Sequence, residues 1–300
     1  MLNPPPSVAG LAPPPDAARA QSGAAGVSVF VLTRDEEVNI ARCLESVRWC
    51  DDVVILDSLS RDRTVAIASA FPNVRVFERR FDDFSGQRNH GLHQLGFRHS
   101  WVLVVDADEV VEPQLAVEVT EIARRGAAVA ADVFLVRRKV FMDGRWVRRN
   151  ITSDFWIARL MRPGKVRYEG AVHERLRFDG RSGRLQAALE HHQFSKGVDD
   201  WLARRLRYAR LEAEARAAGL YPRGRAGDLL SRDPLARRAA LKALYTRLPA
   251  RWLVYLVYNL LFKLAFLGGR DSLRYILLEA HSQRFAARRP GAAVEGRANA

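Results

Sequence analysis

Cysteine is scarce in this chain: Cys43 and Cys50 are the only two among 300 residues. Two cysteines cannot build a disulfide framework, and their spacing is not that of a metal knuckle. Both therefore read as small buried apolar groups in a reducing compartment. Long apolar runs are missing as well. The longest, WLVYLVYNLLFKLAFL at 252–267, carries one charge, Lys263. As a helix it reaches about 24 Å, short of the ~30 Å hydrocarbon core of a bilayer. Residues 1–26 are rich in Pro, Ala and Gly and lack the charged start and apolar centre of a secretory signal, which predicts a disordered leader. No glycine-rich basic loop follows the first expected strand, where TRDEE stands instead, and this counts against a nucleotidyltransferase built on a similar sheet. Nor does a recognised nucleic-acid motif accompany the formal net charge of +14, so no nucleic-acid partner is expected.

The positive charge sits at one end. Residues 201–300 hold 20 basic and 7 acidic side chains, whereas residues 1–200 hold 28 and 27. Apolar residues make up 48% of the chain and charged residues 27%, an ordinary globular composition with enough length for one sizeable α/β domain and an appendage.

From Val27 onward strand and helix patterns alternate. VSVFVLT, DDVVILD, NVRVFER and WVLVVD are apolar, β-branched runs, and between them lie segments with helical spacing, such as Val38, Ile40, Ala41, Leu44 and Val47. This alternation predicts a doubly wound, mostly parallel sheet with right-handed crossovers. Beyond residue 130 the pattern changes. ADVFLVRRKVFMDGRWV predicts a hairpin turning at Asp143 and Gly144, and FWIARLMRPGKVRYEG predicts further strands around Pro163 and Gly164. VDDWLARRLRYARLEAEARAAG predicts a helix with Trp201, Leu202, Leu206, Ala209 and Ala213 on one stripe, closed by Gly219. The expected division is a catalytic domain over 27–195 and a basic helical extension over 196–300.

Three acidic loops follow three of these strands: TRDEE at 33–37, DSLSRDRT at 57–64 and DADE at 106–109. In an open α/β sheet ligands bind at the carboxyl ends of the strands, so acids there answer to something positive or to hydrogen-bond donors of a ligand. Continued alternation beyond Trp101–Val105 would put Asp106 and Asp108 on one side of an extended chain, facing one divalent cation. A first helical turn before Pro113 would account for Asp108, Glu109 and Glu112 equally well.

Taken in order, VFVLTRDEEVNIARCLESV, VVILDSLSRDRTVAIA, GQRNHGL, WVLVVDADEVV, RLMRPGKVRYEGAVHERL and HHQFSKGVDDWLARRLRYARLEAEARAAG resemble family 2 glycosyltransferases. More narrowly, they are similar to the branch containing lipopolysaccharide core β-1,4-glucosyltransferases. The resemblance spans about residues 27–285. It implies a GT-A-like (Rossmann-like) fold and an inverting, metal-dependent transfer from a nucleotide sugar, a UDP-hexose by family habit, to a lipopolysaccharide-core or other lipid-linked glycan. By position it implies that Thr33 and Glu36 contact the nucleoside, that Asp57 pairs with the base, and that Ser60, Asp62 and Thr64 complete that loop. It also implies that Arg88 and Asn89 close over the nucleotide, and that Asp106 and Asp108 hold the ribose and a Mg²⁺ or Mn²⁺ ion. Leu59 departs from the family, which often has Gly there.

Displacement at an anomeric carbon needs a carboxylate to take the acceptor's proton. Asp154, near where the family places its catalytic acid, and Glu174 are the candidates, with Asp154 favoured. His173 stands next to Glu174 as a possible ligand of the metal or diphosphate, while His191 and His192 read as ordinary core histidines. The aromatic and basic residues around 252–267 predict a helix lying in the headgroup region of an anionic membrane, which would place the protein peripherally on the inner face of the cytoplasmic membrane.

Overall fold

Four of the expected runs form one half of the sheet, with the third of them at its edge. β1 (Val27–Thr33), β2 (Val53–Asp57), β3 (Val74–Glu78) and β4 (Trp101–Asp106) lie parallel in the order β3-β2-β1-β4. Three helices connect them: α1 (Ile40–Ser46), α2 (Thr64–Ser69) and α3 (Phe84–Gln94). The computed structural model describes residues 26–150, 155–170, 174–217 and 250–288, with positions 227, 230, 241, 244, 245 and 248. The expected leader up to residue 25, Asp154, His173 and Gly219 lie outside the described residues.

Register sets the site. Thr33 pairs with Asp57, and Leu32 with Asp106, so β1, β2 and β4 end level with one another. Alternate residues of these strands serve two apolar layers, as the pleat requires. Val29, Val31, Leu103 and Val105 pack with Ile40, Leu44 and Leu115 on one face. Phe30, Val102 and Val104 pack with Val54, Leu56 and Leu92 on the other. Burial on both faces explains the near-continuous apolar runs. Gly91 of α3 lies so close to the sheet that an added Cβ would come within 1.9 Å of the Phe30 ring.

After β4 the chain departs from the simple alternation. β5 (Glu109–Val111), α4 (Pro113–Arg125), β6 (Ala131–Met142), β7 (Arg145–Trp146), β8 (Trp156–Met161), β9 (Val166–Glu169), β10 (Arg175–Phe178) and β11 (Arg181–His191) follow. β8 enters antiparallel beside β4, and the mixed nine-stranded sheet continues through β6, β11 and β5, while β9 and β10 form a separate pair. The hairpin turns where expected, with φ of +50° at Asp143 and +76° at Gly144, the signs a two-residue turn of type I′ demands.

The extended chain expected through Asp108 is not formed. β4 stops at Asp106, Ala107 and Asp108 make a turn, and Glu109 opens β5 against β11. Backbone pairing with β11 overrides simple alternation here. Nor do Asp108 and Glu109 belong to a helix, since α4 begins only at Pro113.

Three further helices follow the sheet: α5 (Val198–Ala217), α6 (Arg251–Leu261) and α7 (Gly269–Arg288). They share a third apolar cluster with the sheet, in which Val140, Met142 and Val147 meet Phe194, Trp201, Tyr255, Tyr275 and Ile276.

Candidate functional site

The first two acidic loops are stitched to each other. Thr33 donates its hydroxyl to Asp57 at 2.7 Å, and Ser60 donates both its N–H (2.7 Å) and its hydroxyl (2.6 Å) to the same carboxylate. In return the N–H groups of Asp35, Glu36 and Glu37 donate to Ser60, Thr64 and Asp62 at 2.8, 2.7 and 3.0 Å. Asp57 is fully buried, so its charge organises the loop from beneath. That loop bends at Leu59, whose φ of +59° is left-handed, which is why a glycine suits the position. Glu36 is held by Asn39 and by Lys196, both at 2.7 Å. Burial raises its pKa against the pull of Lys196.

The third loop carries the densest charge. Asp106 accepts from Arg88 Nη2 at 3.1 Å and from Arg159, which also donates to Glu109 at 2.7 Å. Arg159 is 4% exposed and Glu109 0%, and Arg138 lies 3.9 Å from Glu109. Burial works to raise the pKa of Asp106, but the guanidinium groups of Arg159 and Arg88 outweigh it and hold the carboxyl well below its usual range. Burial dominates at Glu109 and raises it. Asp108 faces His191 at 3.4 Å and Arg204 at 3.9 Å. Burial opposes them, yet His191 and Arg204 together lower its pKa. Glu174 completes the group through Arg88 Nε at 3.1 Å, and the Arg88 guanidinium also lies 5.4 Å from the centre of the Tyr168 ring.

Asp57 and Asp106 stand at the level ends of β2 and β4 on either side of β1, with Arg88 of α3 and Arg159 of β8 closing on Asp106. Chemically the cluster can receive a polyanion, a cation that accompanies it, or both. The model of glycosyl transferase family 2 matches residues 28–190, more than half of the chain. The chain belongs to that family. It is therefore an enzyme, a glycosyltransferase, and its α/β sheet is GT-A-like, mostly parallel, with the antiparallel β8 beside β4. It is 27% identical over 211 residues to the lipopolysaccharide core biosynthesis glycosyltransferase LpsC of Rhizobium meliloti, covering 66% of this chain and 74% of that protein. It is 32% identical over 142 residues to the succinoglycan biosynthesis protein ExoO of Rhizobium meliloti, covering 45% of this chain and 39% of ExoO. A solved structure, S. aureus TarS 1-349, aligns over 86% of this chain and 91% of that one, with 17% identity and a TM-score of 0.41.

In this glycosyltransferase Asp106, Asp108, Arg88 and Glu174 come together. Thr33, Glu36, Asp57 and Asp62 form the neighbouring stitched loops. Asn89 goes elsewhere: its amide donates to the carbonyl of Tyr168 and accepts from the Tyr168 N–H, both at 2.8 Å, clipping α3 to β9. Arg159, Lys196 and Arg204 were not singled out from sequence, and His191, read as an ordinary core histidine, lies against Asp108. The usable signal for Arg159 was a charge flanked by Ala158 and Leu160 within an otherwise apolar strand, where only a paired charge is tolerated.

Proposed function

We propose that this glycosyltransferase moves a hexose, with inversion, from a uridine diphosphate sugar to a hydroxyl of a lipopolysaccharide-core or other lipid-linked cell-envelope saccharide, assisted by Mg²⁺ or Mn²⁺. The similarity to LpsC supports the acceptor class. The observation that carries the reading is the composition of the cluster: Asp106 and Asp108 stand with Arg88, whose buried Nη1 has no partner among the described residues. A buried donor left unpaired is costly, and a diphosphate oxygen would satisfy it.

The donor set fits a cation that arrives with the substrate. Among the described residues no three His, Cys, Asp or Glu side chains form a metal cage. Mg²⁺ is commonly held by one or two carboxylates together with substrate phosphates, and Asp106 and Asp108 supply such a pair. A bound divalent ion would supply neutralisation of the negative charge on the leaving diphosphate. Arg88 and Arg159 keep Asp106 ionised for that duty. Of the two candidate bases, Asp154 lies outside the described residues, and Glu174, which stands across Arg88 from Asp106, is the one we propose. It takes the acceptor hydroxyl proton as the new bond from oxygen to the anomeric carbon forms and the bond to the diphosphate breaks.

The test is turnover of a panel of nucleotide sugars by the full chain, with Mn²⁺ or EDTA, against a lipopolysaccharide-core acceptor. We expect a uridine diphosphate hexose to turn over, and Asp108→Ala to lower kcat by roughly 10²–10³, the usual loss when one preorganised charge-stabilising group is removed. Undiminished turnover in Asp108→Ala or in EDTA would overturn the metal assignment. Glu174→Gln should stop transfer and spare donor binding. If Asp154→Asn does so instead, Asp154 is the base.

A further inference from the structure

The face of α6 turned away from the protein is apolar and uncovered. Its inner side is occupied, since Tyr255 and Asn259 are buried and Tyr255 joins the third apolar cluster. The outer side presents Leu253, Val254, Val257 and Leu261, at the spacing of one helical stripe. The stripe runs on into Phe262 and Phe266 in the bend that follows. Leu261 is 64% exposed and Phe262 73%. Soluble surfaces rarely leave a contiguous patch of large apolar side chains bare unless it meets a partner.

The bend matters. The axes of Arg251–Leu261 and Ala265–Arg284 differ by 68°, and no single helix among the described residues is long and apolar enough to cross a membrane. By length and composition alone the bent pair together also fits a broken span; its exposed apolar stripe beside basic residues is the pattern of an interfacial helix. Basic residues border it: Arg251 and Lys263 on α6 and its exit, Arg270 at the start of α7, and Arg274, which is paired with Asp143. Leu202, Leu273, Leu277 and Leu278, together with Arg270 and Arg274, line a groove of about 620 Å³.

We propose that the bent α6–α7 pair seats this protein on an anionic lipid bilayer, with Leu261, Phe262 and Phe266 among the acyl chains and the flanking arginines at the lipid phosphates. Charge selects this occupant. A second copy would bring together two modules that each carry 20 basic and 7 acidic residues between 201 and 300, and such like charges repel. A nucleic acid would answer the arginines but leave the leucine and phenylalanine stripe in water. An anionic bilayer answers both features at once.

The surface is distinct from the acid cluster, so it is tested without reference to turnover. The full chain is sedimented with vesicles of phosphatidylglycerol and phosphatidylethanolamine, and with vesicles of phosphatidylcholine alone. We expect at least tenfold tighter partition to the anionic vesicles. Leu261→Glu with Phe262→Glu should reduce it at least tenfold. Arg270→Glu, which leaves the apolar stripe intact, should reduce it several-fold, with far-UV circular dichroism and nucleotide-sugar binding unchanged in both variants. High salt should weaken the partition, because screening shortens the reach of surface charge. Equal partition to both vesicle types, or tight binding by the glutamate variant, overturns the proposal. So does a dimer in sedimentation equilibrium that Phe262→Glu dissociates while vesicles remain unbound, which would make a second copy the occupant. So too does a duplex DNA complex that anionic vesicles cannot displace.

Discussion

The parallel half of the sheet and the C-terminal helices handle charge in opposite ways. At the strand ends the acids have named partners: Arg159 for Asp106 and Glu109, Arg88 for Glu174, His191 and Arg204 for Asp108, and the hydroxyls of Thr33 and Ser60 for the fully buried Asp57. In the helical region basic residues outnumber acids nearly threefold, 20 to 7 over residues 201–300, and large apolar side chains stand bare beside them. Charge that is desolvated must be matched atom by atom, so it reports a specific small ligand. Charge left in water needs no local match and reports a broad, soft partner.

The sharpest way to break this contrast is to remove the helices. Deleting 251–288 uncovers Trp201, Val140, Met142 and Val147. Full burial of such a side chain contributes roughly 1.5–3 kcal/mol, against a typical total stability of about 5–15 kcal/mol. The truncated chain is expected to lose its cooperative thermal transition, followed by circular dichroism. A normal melt would show that the helices are a detachable module.

Next in size is Arg159→Met. It strands Glu109, which is fully buried, and breaking a buried pair from one side costs about 3–5 kcal/mol. Urea unfolding should show that loss, and adding Glu109→Leu should recover much of it. If the single and double variants are equally stable, the charges at the strand ends are not coupled as described.

Leu59→Gly is a smaller probe. Leucine at a φ of +59° carries about 1–2 kcal/mol of left-handed strain, of which glycine's unfolded-state freedom returns roughly 0.4–1 kcal/mol. The midpoint of urea unfolding should rise slightly. The mildest test concerns thiols. Cys43 and Cys50 are buried and free, and burial pushes the Cys50 thiol up to about 12. Neither should react with a thiol reagent at pH 8 until the protein is unfolded.

The sheet was legible because its signals are local. Val27–Thr33, Val53–Asp57 and Trp101–Asp106 announce themselves by β-branched apolar runs, and the acids follow at once in the chain. Their partners were not legible. Arg159 reaches Asp106 from 53 residues away, and Lys196 reaches Glu36 from 160, so no short-range period records either pair. The turn at Ala107 and Asp108 was missed for a related reason, since it is dictated by β5 pairing with the distant β11. The left-handed loop was half visible, through the leucine standing where glycine is common.

One feature of α5 reaches further. Trp201 and Arg205 tie this helix to the C-terminal unit, the latter through Glu279 on α7. Arg204 stands by Asp108, and the Tyr208 ring stacks on Phe84 with centroids 5.8 Å apart. This one helix thus touches both the acid cluster and the C-terminal helices. If α6 is seated on a surface as proposed, α5 would work as a gauge block and not a tether, setting the height of the acid cluster above that surface. On the function and the membrane seating proposed above, an acceptor hydroxyl would meet the donor sugar only at the height that this helix sets.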